Sequence, residues 1–251
     1  MIIIKNRQAI SKMRDAGKRL SEVIAEAINF VSPGMTTLEV DSFIEKKLVS
    51  LKLDTRCKGY MGYKHVSCIS VNDVVVHGVP SSQIITDQDL VKIDVCASYE
   101  GYCADMARPK YLGLSSNERI IEMMDAAKSA LAIGIAAAVK GNRIGDISYA
   151  IQSVIEAKKF GILRDFAGHG IGKKMHEEPE ILNYGKPGVG SLIQPGMTFA
   201  IEPMITLGSE EVFIDSDKWT VRTRDKSFST HIEDTVLVTD HGPEVLTNSS
   251  I

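Results

Sequence analysis

The stretch Leu90–Arg108 carries two aspartates inside otherwise strand-like sequence, on either side of a turn at Ser98-Tyr99-Glu100-Gly101. A turn centred on Tyr99-Glu100 makes Asp94 face Asp105 across the hairpin, and Cys96 face Cys103. Directly opposed like charges destabilise a strand pair unless something neutralises them. Aspartate is also a poor strand former, so two at mirror-related positions point to chemistry. A shared proton or a divalent cation would supply the missing positive charge. The two thiols read as packing beside this site.

Other candidate groups sit in similarly unusual contexts. His169 lies in Ala167-Gly168-His169-Gly170-Ile171-Gly172, where glycines let backbone approach closely and leave the imidazole free to project. His176 follows in Met175-His176-Glu177-Glu178-Pro179. Glu202 sits in the apolar run Met197–Ile205, where an unpaired buried carboxylate is costly, and Glu233 has the same strand-embedded character in Thr230–Val238. Four carboxylates and one histidine in such places are hard to explain without a cation.

The elements that must position them follow from pattern. The chain has 251 residues, a net charge of −3, 44% hydrophobic and 24% charged residues, which excludes a disordered or fibrous chain. A pI near 6.1 without a long basic run argues against nucleic acid as the main partner. The apolar run at Met1–Ile4 is too short for a signal peptide, and Ala130–Val139 is about half a bilayer span, so the expectation is a cytoplasmic protein without membrane contact. Cys57, Cys68, Cys96 and Cys103 show no C-x-x-C spacing and read as free thiols. Helical periodicity covers residues 7–31, 36–52, 116–139 and 144–158. Strand-like runs cover Val66–Val76, Leu90–Ala97, Tyr102–Leu112, Met197–Ile205 and Ser229–Val238.

A shift of 107 residues brings Gly34 onto Gly141, Glu39 onto Asp146, Val40 onto Ile147 and Ile44 onto Ile151. Two similar halves, about 1–112 and 113–251, each reading helix, helix, strands, predict one pseudo-symmetric α+β catalytic domain. Its helices would back a largely antiparallel sheet.

These residues, in order, resemble those of type I methionine aminopeptidases. The resemblance rests on Val76-His77-Gly78-Val79-Pro80, Lys92-Ile93-Asp94-Val95, Ala104-Asp105, Gly168–Gly172, His176–Pro179, Ile201-Glu202-Pro203 and Ile232–Thr235, and runs from about residue 6 to 247. It implies the pseudo-twofold pita-bread fold and removal of an N-terminal methionine when the second residue is small, by metal-activated water attack on the peptide carbonyl. Asp94 and Asp105 would ligate a first divalent ion, Asp105 and Glu233 would bridge to a second, and His169 and Glu202 would complete that second site. Such a donor set suits Mn²⁺, Fe²⁺ or Co²⁺ at least as well as Zn²⁺. Glu202 would move the proton, while His77 and His176 would hydrogen-bond the scissile amide and the developing oxyanion. Cys57, Tyr60, Tyr63, Cys68 and Trp219 match positions around the methionine side chain, with Met175 replacing the usual phenylalanine. Carbonyls of Asn72, Val74 and Ser229 could hold Na⁺ or K⁺. The implied partners are nascent chains with N-terminal methionine, with transient ribosome association and a monomeric enzyme.

Two departures fall beside Glu233: His231 stands where the family usually has glutamine, and Asp234 where it usually has histidine. Both are expected to alter the surroundings of the ligands without removing one. The alternatives are an X-Pro-cleaving relative, which usually carries a further N-terminal domain, and a non-catalytic protein on the same fold, which would typically have lost ligands.

Overall fold

In the computed structural model, which describes residues 1–113 and 117–248, four helices form where apolar spacing predicts them. Helix α1 (Arg7–Phe30) starts where the Asn6 side chain accepts the Ala9 N–H at 2.9 Å, and it buries Met13, Ala16, Leu20, Val23, Ile24 and Ala27 along one stripe. Helix α2 (Thr37–Ser50) opens with a reciprocal capping box between Thr36 and Glu39. The second pair comprises α3 (Glu118–Ala137) and α4 (Ile144–Ala157). The expected start at residue 116 lies outside the described residues.

After α1 and α2 come β1 (Asp54–Thr55), β2 (Cys68–Val71), β3 (Val74–Val76), β4 (Leu90–Tyr99) and β5 (Tyr102–Tyr111). After α3 and α4 come β6 (Gly161–Ile162), β7 (Ala167–Gly170), β8 (Glu177–Leu182), β9 (Thr198–Ile201) and β10 (Met204–Thr206). The chain continues through β11 (Val212–Ile214), β12 (Val221–Thr223), β13 (Ser229–His231), β14 (Glu233–Thr239) and β15 (Gly242–Val245). Nine strands form the main sheet in the order β1-β4-β5-β14-β9-β7-β8, with β2 beside β4 and β15 beside β14, all antiparallel. Small three-stranded sheets, β13-β10-β6 and β11-β12-β3, flank it.

Helices cover one face of the main sheet in two apolar layers. Leu20, Ile24, Ile44 and Leu48 pack with Val91, Ile93 and Val95, whereas Met123, Ala130, Ile147 and Ile151 pack with Phe199, Ile201 and Val236. Strand side chains alternate between faces. With Val91, Ile93 and Val95 facing helices, Asp94 and Cys96 face the other way.

Three local expectations are corrected. The β4–β5 turn is Glu100-Gly101, both with positive φ (47° and 80°), so Asp105 pairs with Cys96 and Asp94 with Ala107. Asp94 and Asp105 are therefore diagonal neighbours on one face rather than directly opposed, and so are Cys96 and Cys103. Two expected continuous strands are broken, one at Ile232 and one at Glu202-Pro203, the latter because proline cannot donate to a ladder. The strand-like run Val66–Val76 is also split, at Asn72-Asp73. The glycines around His169 belong to strand β7 and lie close to its neighbours. A Cβ on Gly168 would stand 2.4 Å from the Ala200 carbonyl oxygen, and one on Gly170 would stand 2.1 Å from that of Glu178.

This close approach makes a prediction. Gly168→Ala should lower stability by about 1–3 kcal/mol through overpacking against β9. Urea unfolding of the variant beside wild type measures it, and an unchanged midpoint would contradict the packing argument.

Candidate metal centre and substrate cleft

Strands β4, β5, β14, β9 and β7 lie side by side, and each delivers one expected donor. Asp94 comes from β4, Asp105 from β5, Glu233 from the first position of β14, Glu202 from the residue after β9, and His169 from β7. Asp94, Ala107 and Glu233 form one row across three strands. Residues paired in an antiparallel ladder project to the same face, and a buried alanine in the middle leaves room above it. Asp105, two residues along β5, points into that room.

The donor atoms gather into two groups of three. Those of Asp105, His169 and Glu233 lie within 4.8 Å of one another, and so do those of Asp94, Glu202 and His231. The sixth member is the residue that sequence reasoning placed only in the surroundings. Its ring lies inside the donor set, with Nε2 3.7 Å from Glu202 Oε1 and 4.0 Å from Asp94 Oδ2. The available signal was its position two residues before Glu233, on the same face of a nearly continuous strand.

Electrostatics explain why this arrangement needs a cation. Burial, then mutual repulsion, pushes Asp94, Glu202 and Glu233 well above the ordinary carboxyl range. Asp105 is raised to about 7, chiefly by burial. Among the described residues no lysine or arginine forms an ion pair with any of the four. The basic side chains that come within 4.0 Å of them are imidazoles. His169 is lowered to about 4 by burial and is neutral at pH 7. Its Nδ1 lies 2.9 Å from the Gly170 carbonyl, which fixes the proton there and leaves the Nε2 lone pair facing Asp105 Oδ2 at 4.0 Å. A neutral, oriented imidazole amid crowded carboxylates fits a divalent ion well.

All the expected site residues line one cavity of about 980 Å³. His77 follows β3 with φ of 57°, a left-handed conformation that is strained for a non-glycine residue and is held by its surroundings. Burial lowers its pKa to about 4, and its ring meets Phe166 edge-on at 5.9 Å. His176 stands edge-on to His169 with ring centres 4.4 Å apart, and the Tyr60 hydroxyl lies 3.2 Å from its Nδ1.

On the apolar flank Cys57, Tyr63 and Cys68 are buried with Cys96 and Cys103, while Met175 and Trp219 pack at the edge. Tyr63 donates to the Ser67 carbonyl at 2.9 Å and meets Trp219 edge-on at 5.0 Å. Burial, with nearby Asp94, raises the Cys57 and Cys68 thiols, so both stay neutral and act as packing surface.

Asp234 is turned away from the donors. It accepts from Arg108 Nη2 at 2.7 Å and from Thr247 Oγ1 at 2.7 Å, while Arg108 Nη1 donates to the Glu233 carbonyl at 2.6 Å. Its effect on the site is therefore to steady the Glu233 backbone through Arg108. The carbonyls of Asn72 and Val74 accept from Ser229 Oγ at 3.2 and 3.1 Å. The fully buried Lys92 ammonium also donates to the Asn72 carbonyl at 3.0 Å, and burial lowers its pKa to about 7.

Comparison with known proteins agrees with this geometry. The sequence model of metallopeptidase family M24 matches residues 11–240. A methionine aminopeptidase from Clostridium acetobutylicum is 41% identical over 248 residues, covering 98% of this chain and 99% of its own length. The crystal structure of methionine aminopeptidase from Thermotoga maritima superposes with a TM-score of 0.97 at 38% identity, covering 99% of this chain and all of that one. A prolidase from Pyrococcus furiosus gives 0.78 at 26% identity, but this chain covers only 66% of it. The shared fold is the pita-bread arrangement of an antiparallel sheet backed by helices.

The raised carboxyls make a signed prediction. A carboxyl whose folded pKa exceeds its unfolded one contributes stability fully present below about pH 4, lost as pH rises through the folded value, here about 7 for Asp105. Asp105→Asn cannot ionise. The metal-free variant should thus gain on metal-free wild type, by on the order of 1–3 kcal/mol, as pH rises from 5 to 8. Added Mn²⁺ should reverse the ranking. Parallel urea midpoints for the two proteins across that range would contradict the account.

Proposed function

This chain belongs to metallopeptidase family M24, and from that premise we infer that it is a metal-dependent methionyl aminopeptidase. It hydrolyses the bond after an N-terminal methionine, in peptides and nascent proteins, when the second residue is small. The observation that carries the reading is the meeting of a carboxylate–histidine centre with a thiol- and aromatic-lined flank in one cavity. A polarizable thioether suits such a flank, and Met175 gives it a softer wall than phenylalanine would.

In this reading Asp94, Asp105, His169, Glu202 and Glu233 would hold two divalent ions, which when bound would supply water activated near neutral pH and a polarised scissile carbonyl. Glu202, a carboxyl of raised pKa, takes the proton of the attacking water and returns it to the leaving amine. Tyr60 engages Nδ1 of His176, which leaves the opposite nitrogen free to donate to the developing oxyanion. His77 is held neutral beside the cleft and hydrogen-bonds the scissile amide. Donors fixed in place before reaction typically contribute 10²–10³-fold.

The donor set suits Mn²⁺, Fe²⁺, Co²⁺ or Zn²⁺. The carbonyls of Asn72, Val74 and Ser229 would hold Na⁺ or K⁺, and the Lys92 ammonium also reaches the Asn72 carbonyl. The substrate class assigns the enzyme to the cytoplasm, with transient contact to the ribosome and no direct grip on nucleic acid. No helix among the described residues is long and apolar enough to cross a membrane. The chain acts as a monomer, one catalytic domain of two similar halves.

The reading is tested with peptides in the presence of Mn²⁺ or Co²⁺. Met-Gly-Met and Met-Ala-Ser should be cleaved, Met-Ile-Ser should be slower by at least about 10–200-fold, and Gly-Pro and X-Pro-Y peptides should persist. Preferred cleavage at X-Pro would assign the chain to the prolidase branch instead. His77→Ala should lower kcat/KM by roughly 10²–10⁴-fold with metal content unchanged. Loss of metal from that variant would show His77 to be a ligand.

A further inference from the structure

The ring of His231 is fully buried, its far side meets the Val75 backbone, and its Nε2 has no hydrogen-bond partner. Buried polar groups are nearly always satisfied, so an orphaned Nε2 calls for a missing partner. Nε2 faces Glu202 Oε1 at 3.7 Å and Asp94 Oδ2 at 4.0 Å, both too long for hydrogen bonds. A buried Nε2 aimed at two carboxyl groups, with a hydrogen bond to neither, leaves a gap that a cation would fill. Donor atoms that share one small divalent ion at about 2.0–2.2 Å lie roughly 3–4 Å apart, and Asp94 Oδ2 stands at that spacing from Nε2.

We propose that Nε2 of His231 is a direct ligand to the ion held at Asp94. The proposal rests on the reading of Asp94 and Glu202 as metal-binding residues. Each ion then has one imidazole, His169 on one and His231 on the other. Glutamine, the usual residue of the family at this position, offers only a weaker amide donor. A second imidazole moves the centre's preference away from Mn²⁺ toward Fe²⁺, Co²⁺ and Zn²⁺, because nitrogen donors favour the later metals. It also gives the unpaired buried Nε2 a partner without moving any strand.

The test is a Co²⁺ titration of the metal-free full-length protein, followed by calorimetry and by proton NMR of the paramagnetic complex. The expected wild-type spectrum contains two strongly shifted imidazole N–H resonances. His231→Gln should retain one, and the dissociation constant of one of its two ions should rise by at least about 10-fold. A single shifted resonance in wild type, or the same two in His231→Gln, would overturn the proposal. The wild-type spectrum decides by itself, so the outcome does not depend on the variant folding; thermal melts of both metal-free proteins check that it does. If wild type takes up no Co²⁺, the reading of the carboxylates as ligands fails and the proposal fails with it. If two ions bind with only one shifted imidazole, His231 alone is excluded and the carboxylate reading stands.

Discussion

Mutual repulsion among Asp94, Asp105, Glu202 and Glu233 is the constraint around which the molecule is organised. Asp105 and Glu233 are buried and Asp94 and Glu202 largely so, and among the described residues no lysine or arginine forms an ion pair with them. A sheet with such residues in neighbouring strands must be held together by something else. The apolar layers behind it do that, with Val91, Ile93 and Val95 on one side and Phe199, Ile201 and Val236 on the other, each under its own helix pair. Rigid packing on one face permits a charged centre on the other, and the accumulated repulsion is what gives a divalent ion its affinity.

Geometry then turns affinity into placement. The donors come from five adjacent strands, so their spacing is set by ladder registry rather than by loop conformation. The two strand breaks fall beside donors, at Glu202-Pro203 and at Ile232, where a regular ladder would have pinned the backbone. The remaining groups are fixed by single bonds or contacts: Gly170 holds His169, Tyr60 holds His176, and Arg108 steadies Glu233. Around this centre buried neutral thiols and aromatic rings make a surface for a thioether. In the proposed reading chemistry and selectivity thus occupy two walls of the same cavity.

Much of this was legible in the sequence. Aspartates within strand sequence, a histidine among glycines and glutamates in apolar runs marked the donors without any knowledge of which strands pair. Helix spans were clear because apolar periodicity and caps such as Thr36–Glu39 are local signals. The hairpin register was misjudged because a turn at Glu100-Gly101 and one at Tyr99-Glu100 differ by a single step in the chain. Parity is unchanged, so both aspartates still share a face. The short strands β6, β11 and β12 carry too few residues to show alternation. His231 and Lys92 were underrated for a different reason: their significance depends on non-local neighbours, namely Glu202 for one and the Asn72 carbonyl for the other.

The central claim is that folding buries these carboxyls, and sets them so close together, that they hold protons until a cation replaces them. Calorimetric titration of the metal-free protein with Mn²⁺ at pH 7, in buffers of different ionisation enthalpy, counts the protons expelled. The account predicts saturable binding with release of about one or more protons per protein molecule. Binding without proton release, or no binding at all, would contradict it.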